Sequence, residues 1–372
     1  LDFGFSEEQD LLRSEVRKFL DEQCPLAVVR RIAETPEGYS REQWKQLGEL
    51  GFLGLIVPEE LGGAGLGFVD LVVLLEETGR TLFPSPLVST TLAASVILDA
   101  GSPEQKRRFL PQLANGSAVG SVALLEESDV LSLEGIALRA RPDGGRVVLD
   151  GEKRFVPDAA QADLFAVAFR SGDGAGGLSL GLVEADAPGV SVEDVPTLDR
   201  TKRFGTLRLD GAPVSLLGEP GSAGPAVLRL FDRGAAAVAA EIAGTLEGVL
   251  DLTVRFAKER VQFGSPIGRY QGVKHPLAEM YVDLESLKSL VYYAAWALDE
   301  SPGDAPAAVS EAKAFASLAV TQAGISAIQL HGAVGYTAEY DVQLYLKRSK
   351  WARPFFGDEA HHQDRIARLA GY

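Results

Sequence analysis

Apolar residues recur along this chain with two different periods, and the period changes twice. Up to roughly residue 118 the spacing is helical. Ser6-Glu7-Glu8-Gln9 has the capping-box spacing, in which Ser6 accepts an amide hydrogen bond and Gln9 reaches back to the cap, and Leu12, Val16 and Phe19 follow on one face. Further helices are predicted over Arg41 to Leu50, Val69 to Thr78, Leu87 to Asp99 and Pro103 to Leu113, around the glycine-rich loop Pro58 to Gly67. Between about 119 and 222, short apolar runs (Val119 to Leu125, Val147 to Leu149, Asp163 to Phe169, Leu178 to Val183, Leu207 to Leu209) alternate with turn signals such as Asp143-Gly144-Gly145, Asp150-Gly151 and Asp210-Gly211, which predicts a β-domain. From about 223 the helical period returns. Val273, Leu277, Met280, Leu284, Leu287, Val291, Ala294 and Leu298 form the seam of a long helix packed lengthwise in a bundle; Ser301 to Pro306 ends it, and Ala307 to Leu330 forms the next helix.

The expected fold class is therefore mainly α with a central β-domain: a helical domain over 1–118, a β-domain over 119–222 and a helical bundle over 223–372. The order has no βαβ alternation, which argues against a doubly wound nucleotide fold.

Composition narrows the function classes. A chain of 372 residues with 46% hydrophobic and 24% charged residues is long enough for two or three domains and a buried pocket. Its net charge of −16 has the wrong sign for a protein that gains affinity by neutralising phosphates, so no nucleic-acid partner is expected. Cys24 is the only cysteine, which excludes an intrachain disulfide, a Cys-based zinc site and a Cys-x-x-Cys redox pair, and fits a reducing cytoplasm. The start, Leu1-Asp2-Phe3-Gly4-Phe5, has no basic n-region and does not read as a signal or transit peptide. The longest apolar stretch, Gly234 to Leu246, is broken by Glu241 and Gly244 and reads as a buried helix, not a membrane span.

Two phosphate-binding patterns fail on context. Gly172-Asp173-Gly174-Ala175-Gly176-Gly177 satisfies G-x-G-x-x-G but lies between two β-runs and opens no helix, so it reads as a loop. Gly-Lys never occurs, which leaves no P-loop, and His275, His331, His361 and His362 have no metal-ligand spacing.

The informative run is Glu259-Arg260-Val261-Gln262-Phe263-Gly264-Ser265-Pro266-Ile267-Gly268-Arg269-Tyr270-Gln271. It resembles the R-x-Q-F-G-x-P-I-x-x-[FY]-Q segment of the acyl-CoA dehydrogenase family. Gln329-Leu330-His331-Gly332-Ala333-Val334-Gly335-Tyr336-Thr337 resembles that family's Q-x-x-G-G-x-G-[FY]-T segment, in order and at the family's separation. Trp44 to Glu77, with its Val57-Pro58-Glu59-Glu60-Leu61-Gly62-Gly63 loop, and Gln105 to Pro111 resemble the family's N-terminal domain.

The resemblance implies a C-terminal four-helix bundle at the core of a tetramer, with FAD held between the β-domain and the bundle and its adenosine end held by a neighbouring subunit. On this chain it implies that Arg260 meets the pyrophosphate, Gln262 and Phe263 line the dinucleotide, and Gln329 and Gly332 contact the adenylate. The residue types suit those roles, since a guanidinium pairs with phosphate oxygens through two donors and glycine lets a backbone come close. Ala333 replaces the second glycine of the family pair. The implied reaction is α,β-dehydrogenation of an acyl-CoA thioester, with an electron-acceptor flavoprotein as redox partner.

The chain departs from the family at the chemistry. An ungapped count from Tyr340 places Phe355-Phe356-Gly357-Asp358 on the family's Tyr-Glu-Gly-Thr, so the base position holds Phe356, which cannot take a proton. The family's alternative base position falls on Gly234, beside Arg233. Glu241, about two turns further along, is the remaining candidate for the base, against a structural pairing with an arginine such as Arg233 or Arg255. On the flavin side, Leu125-Glu126-Glu127-Ser128-Asp129 is a shortened version of T-E-x-x-x-G-S-D, and Phe155-Val156-Pro157-Asp158 stands for W-I-[TS]-N. Pro157 brings neither a hydroxyl nor an N–H.

The half-site offered to a neighbour thus reads as intact, and the chain's own flavin and base side as eroded. That asymmetry resembles one subunit of the heteromeric acyl-CoA dehydrogenases of actinobacterial steroid degradation, in which two homologous chains build each site jointly. The leading expectation is such a companion subunit in an α2β2 enzyme acting on a steroid side-chain CoA thioester. Its alternatives are a self-sufficient homotetramer using Glu241 and a non-catalytic scaffold.

Overall fold

The computed structural model describes residues 6–171 and 177–372; five residues of the Gly172 to Gly177 loop lie outside the described residues, as does the extreme N-terminus. Six helices come first: α1 (Glu7–Gln23), α2 (Leu26–Ala33), α3 (Arg41–Glu49), α4 (Phe68–Arg80), α5 (Leu87–Ala100) and α6 (Pro103–Ala114). The first opens with the capping box expected at Ser6, where the Ser6 hydroxyl accepts from the Gln9 amide at 3.2 Å and the Gln9 side chain accepts from the Ser6 amide at 3.1 Å. The same device, Ser102 with Gln105, opens α6.

Eight strands follow: β1 (Gly120–Ala123), β2 (Ala140–Asp143), β3 (Arg146–Pro157), β4 (Leu164–Arg170), β5 (Leu178–Glu184), β6 (Val190–Val195), β7 (Phe204–Pro213) and β8 (Ser215–Leu217). They make two four-stranded sheets, ordered β1-β4-β5-β8 and β2-β3-β7-β6. Every pairing is antiparallel except β1 with β4. The run Leu164 to Phe169 is buried at every position, because its sheet is covered on both faces. In β6 burial alternates over the first residues, as on a half-covered edge strand.

The remainder is α7 (Gly224–Glu259), a short hairpin of β9 (Val261–Gln262) and β10 (Ser265–Pro266), then α8 (Gln271–Glu300), α9 (Ala305–His331), α10 (Val342–Ala352) and α11 (Glu359–Leu369). The seam of α8 buries Met280, Leu284, Leu287, Val291 and Ala294. No helix among the described residues is long and apolar enough to cross a membrane.

By contact the described residues fall into two compact units: the segments up to Arg31, Phe68–Phe83 and Ala235–Tyr372 form one, and Ile32–Gly67 with Pro84–Gly234 form the other. In the helical unit α8 packs along α9 and α4, and α10 and α11 pack on α9. Crossing of α4 and α7 is close enough to exclude side chains: a Cβ on Gly79 would stand 2.1 Å from the Glu241 carbonyl oxygen, and one on Gly244 would stand 1.7 Å from the Glu76 carbonyl oxygen. Charge fixes α1 beside this crossing. Arg17 donates to both oxygens of Glu77 at 2.9 and 2.7 Å and to Glu247 at 2.8 Å, and Arg13 meets Glu76 at 2.9 Å.

Candidate active site and cofactor surface

The two motif segments come together at one end of the helical unit. The β9–β10 hairpin follows α7 directly, and its two-residue tip, Phe263-Gly264, has positive φ at both positions (54° and 77°), the geometry of a type I′ turn. Glycine adopts that conformation freely, whereas phenylalanine does so at a cost of about 1–2 kcal/mol. Its ring is 94% exposed and meets the edge of the Tyr270 ring at 6.3 Å. Tyr270 donates to the Gln262 carbonyl at 3.1 Å and braces the loop, and Arg260 and Gln262 are exposed.

The second segment ends α9. His331 stacks on Phe256 of α7 with ring centroids 4.3 Å apart, and Tyr340 approaches both rings at 6.0 and 5.1 Å, which ties the end of α9 to the end of α7. Nδ1 of His331 lies 2.7 Å from the Ala327 carbonyl; because a carbonyl only accepts, Nδ1 carries the proton. Burial holds this imidazole below its ordinary value. Beyond it Gly332 has φ 62° with open space where a Cβ would stand, and Gln329 is exposed. Arg260, Gln262, Phe263, Gln329 and Gly332 therefore share one solvent-facing end of the unit. Of the three rings behind them only His331 lies within a motif, and none carried a sequence signal of their contact.

Phe356, which the ungapped count assigns to the family's base position, sits in a turn between α10 and α11 and is 6% exposed with φ 57°. Its ring meets Phe355 at 4.7 Å, and Phe355 meets Trp351 at 5.0 Å. Two buried polar side chains that sequence reasoning did not single out hold this turn. Lys313 of α9 donates to the Arg353 and Gly357 carbonyls at 2.9 and 2.6 Å and to Ser317 Oγ at 3.0 Å. Desolvation pushes its ammonium down to about 7. His362 Nε2 lies 2.9 Å from the Phe356 carbonyl, which makes Nε2 the protonated nitrogen, and burial pushes this imidazole down to about 3. The one visible signal was a lysine inside the apolar run Ala307 to Leu330.

Glu241 lies in α7 at the close crossing with α4 and is 2% exposed. Its carbonyl accepts from Thr245 at 2.8 Å. Arg233, one partner expected for it, instead pairs with Asp99 at 2.8 Å.

In the β-containing unit, Glu126 is a structural acid. Its Oε1 accepts from Lys153 at 2.7 Å and from the Ala137 and Leu138 amides at 3.0 and 2.9 Å. The Lys153 side chain is fully buried, and desolvation pushes it down to about 8 while Glu126 pulls it up. Next to this pair β3 loses register with β7 between Lys153 and Val156. Phe155 and Asp158 both have positive φ (51° and 49°), the Pro157 carbonyl accepts from Ser121, and Asp158 accepts from Ser89 at 2.6 Å. The bulge is thereby fixed, and Pro157 spends its one polar group inward.

Comparison with known proteins decides the family. Three family models match in order: acyl-CoA dehydrogenase N-terminal domain over residues 6–117, middle domain over 126–211 and C-terminal domain over 224–371. The chain belongs to the acyl-CoA dehydrogenase family. It is 33% identical over 353 residues to the acyl-CoA dehydrogenase IpdE2 of Mycolicibacterium smegmatis, with 95% of each chain covered. Among solved structures it is similar to the Tcur3481-Tcur3483 steroid ACAD (TM-score 0.89, 33% identity, 98% of each chain). It is similar also to the ChsE4-ChsE5 complex from Mycobacterium tuberculosis (TM-score 0.91, 28% identity, 100% of each chain). Members of the acyl-CoA dehydrogenase family are FAD-dependent oxidoreductases acting on acyl-CoA thioesters. The exposed hairpin and the open space over Gly332 fit one side of a dinucleotide.

Proposed function

We propose that this chain is the companion subunit of a heteromeric FAD-dependent acyl-CoA dehydrogenase, in which a homologous chain supplies the base for α,β-dehydrogenation of a steroid side-chain CoA thioester. The observation that carries this reading is Phe356. It stands where the family holds its glutamate, has no group that takes a proton, and is locked in place by Lys313 and His362, neither of which is an acid. The names of two similar solved structures, a steroid ACAD with a paired designation and a two-component complex, support a heteromer.

In this reading the chain works by presenting groups to a shared interface. Arg260 would pair with the FAD pyrophosphate, Gln262 and Phe263 would line the dinucleotide, and Gln329 with the open backbone at Gly332 would receive the adenylate. When bound there, FAD would supply the acceptor for the hydride that leaves the β-carbon. The strained, exposed Phe263 supports a partner-facing role, because backbone strain persists where function rewards it. Electrons leave to an electron-acceptor flavoprotein.

The alternative base is Glu241, and its setting favours structure: a 2% exposed position at a helix crossing closed by glycines. Glu241→Gln in the assembled enzyme is expected to keep most of its turnover. A loss of several orders of magnitude at unchanged flavin content would make Glu241 the base and the chain self-sufficient.

A further inference from the structure

In the β-containing unit a cavity of about 420 Å³ lies between the start of α3 and the Asn115–Ser117 turn that follows α6. None of the residues assigned above to FAD or to the base lines it. Its apolar walls are Val119 and the rings of Tyr39 and Trp44, which meet edge to face at 6.4 Å. These two aromatic residues are 7% and 3% exposed, yet neither polar group is satisfied. The Tyr39 hydroxyl makes no hydrogen bond to the described residues, and Trp44 Nε1 is buried beside Gly116 without an acceptor. Burial holds the Tyr39 phenol above its ordinary value, which keeps it a neutral donor. Buried donors are ordinarily paired, and an acceptor that reaches an unpaired one removes a standing cost. The charges of the lining point to the same kind of ligand. Arg41 and Lys45 lie one turn apart on α3. Arg41 has no ion pair among the described residues and lies over the Tyr39 ring, its guanidinium carbon 5.9 Å from the centroid. Lys45 meets Glu49 at 3.5 Å with both side chains in solvent, a weak pairing. Asp163 is the one carboxylate of the lining, and its Oδ2 already accepts from the Val119 amide at 2.8 Å. Two cations against one carboxylate leave the cavity positive in a chain whose net charge is −16.

We propose that this cavity binds a small organic monocarboxylate, with its carboxylate held by Arg41, Lys45 and the Tyr39 hydroxyl and its apolar body against Trp44 and Val119. The site is separate from the companion-subunit reading and does not depend on it. A guanidinium takes a carboxylate through two parallel N–H donors, and the free phenol adds a third. One negative charge matches the balance of the lining, whereas a phosphate dianion would bring a second charge toward Asp163. Apolar walls with a few convergent polar groups, at this volume, are the usual make-up of a small-molecule site.

The test is a ligand-observed NMR titration of the full chain with benzoate, with benzamide as its neutral counterpart and inorganic phosphate as a competitor. Benzoate is expected to bind with a Kd of about 1 mM or tighter, and benzamide at least about tenfold more weakly. Arg41→Gln should weaken benzoate about tenfold, and Tyr39→Phe about fivefold. Neither change threatens folding, since Arg41 is exposed and Tyr39→Phe removes a hydroxyl that the chain leaves unpaired. Both variants should therefore keep the wild-type melting temperature within about 2 °C. Benzamide binding as tightly as benzoate overturns the role of the charge. Phosphate displacing benzoate at lower concentration than benzoate itself binds overturns the carboxylate class. An absence of saturable benzoate binding, or binding that is unchanged in both variants, overturns the site.

Discussion

Replacing Gly244 by alanine is expected to destabilise the helical unit by about 3 kcal/mol or more, and Gly244→Leu to prevent its folding. The added methyl would stand 1.7 Å from the Glu76 carbonyl oxygen and 2.7 Å from the Arg80 amide nitrogen, so no rotamer change relieves the clash. The helices must separate, and separation would disturb the neighbouring ion pairs of Glu76 and Glu77 with Arg13 and Arg17. Gly272→Ala is the control. Its Cβ would meet nothing within 4 Å near the start of α8, and there alanine should be neutral or stabilising by up to about 1 kcal/mol. Urea denaturation of the three variants reads the difference directly. Equal stability of Gly244→Ala and wild type would mean that α4 and α7 do not cross at this distance.

Arg260→Ala is expected to strip the cofactor without unfolding the chain. Arg260 lies at the hairpin, exposed, and contributes nothing to the core, so the melting temperature measured without FAD should move by no more than about 2 °C. If its guanidinium pairs with the pyrophosphate, removing it leaves ligand charge unmatched, and FAD affinity in the assembled enzyme should fall about 30-fold or more, equivalent to about 2 kcal/mol. Flavin absorbance per oligomer after dialysis is the readout. Full retention of FAD would remove Arg260 from the cofactor site.

Local signals made much of this fold legible in the sequence. The capping box at Ser6 marks the start of α1 because the contacts that set it lie three residues apart. The α8 seam was readable because one face carries the whole apolar pattern. Short edge elements were not: Val190–Val195 and Ser215–Leu217 are too short to show a period and owe their strand geometry to pairing with β7 and β5. The division into units was hidden for the same reason, since α4 joins helices that begin more than 150 residues later.

At the candidate site, the motifs named Arg260, Gln262, Phe263, Gln329 and Gly332, and the structure places them at one exposed end. What held Phe356 could not be read, because Lys313 and Gly357 are 44 residues apart and their contact exists only once α9 and the turn have packed. The Lys153–Glu126 pair, 27 residues apart, is concealed in the same way.

The measurement that bears most directly on the companion-subunit reading is the flavin-to-protein ratio of each assembly, from visible absorbance together with native mass. Two copies of this chain pairing with each other would bring an outward-facing half carrying Arg260 and Phe263 against a half that offers Pro157 and the short Glu126 to Asp129 loop. A homologous partner with the family's glutamate would complete one site per heterodimer, and binding there would stabilise the mixed assembly. A nearly colourless chain is expected when it is purified alone, and about one flavin per heterodimer in a yellow α2β2 complex after co-expression. One flavin per chain in the purified homo-oligomer would contradict it.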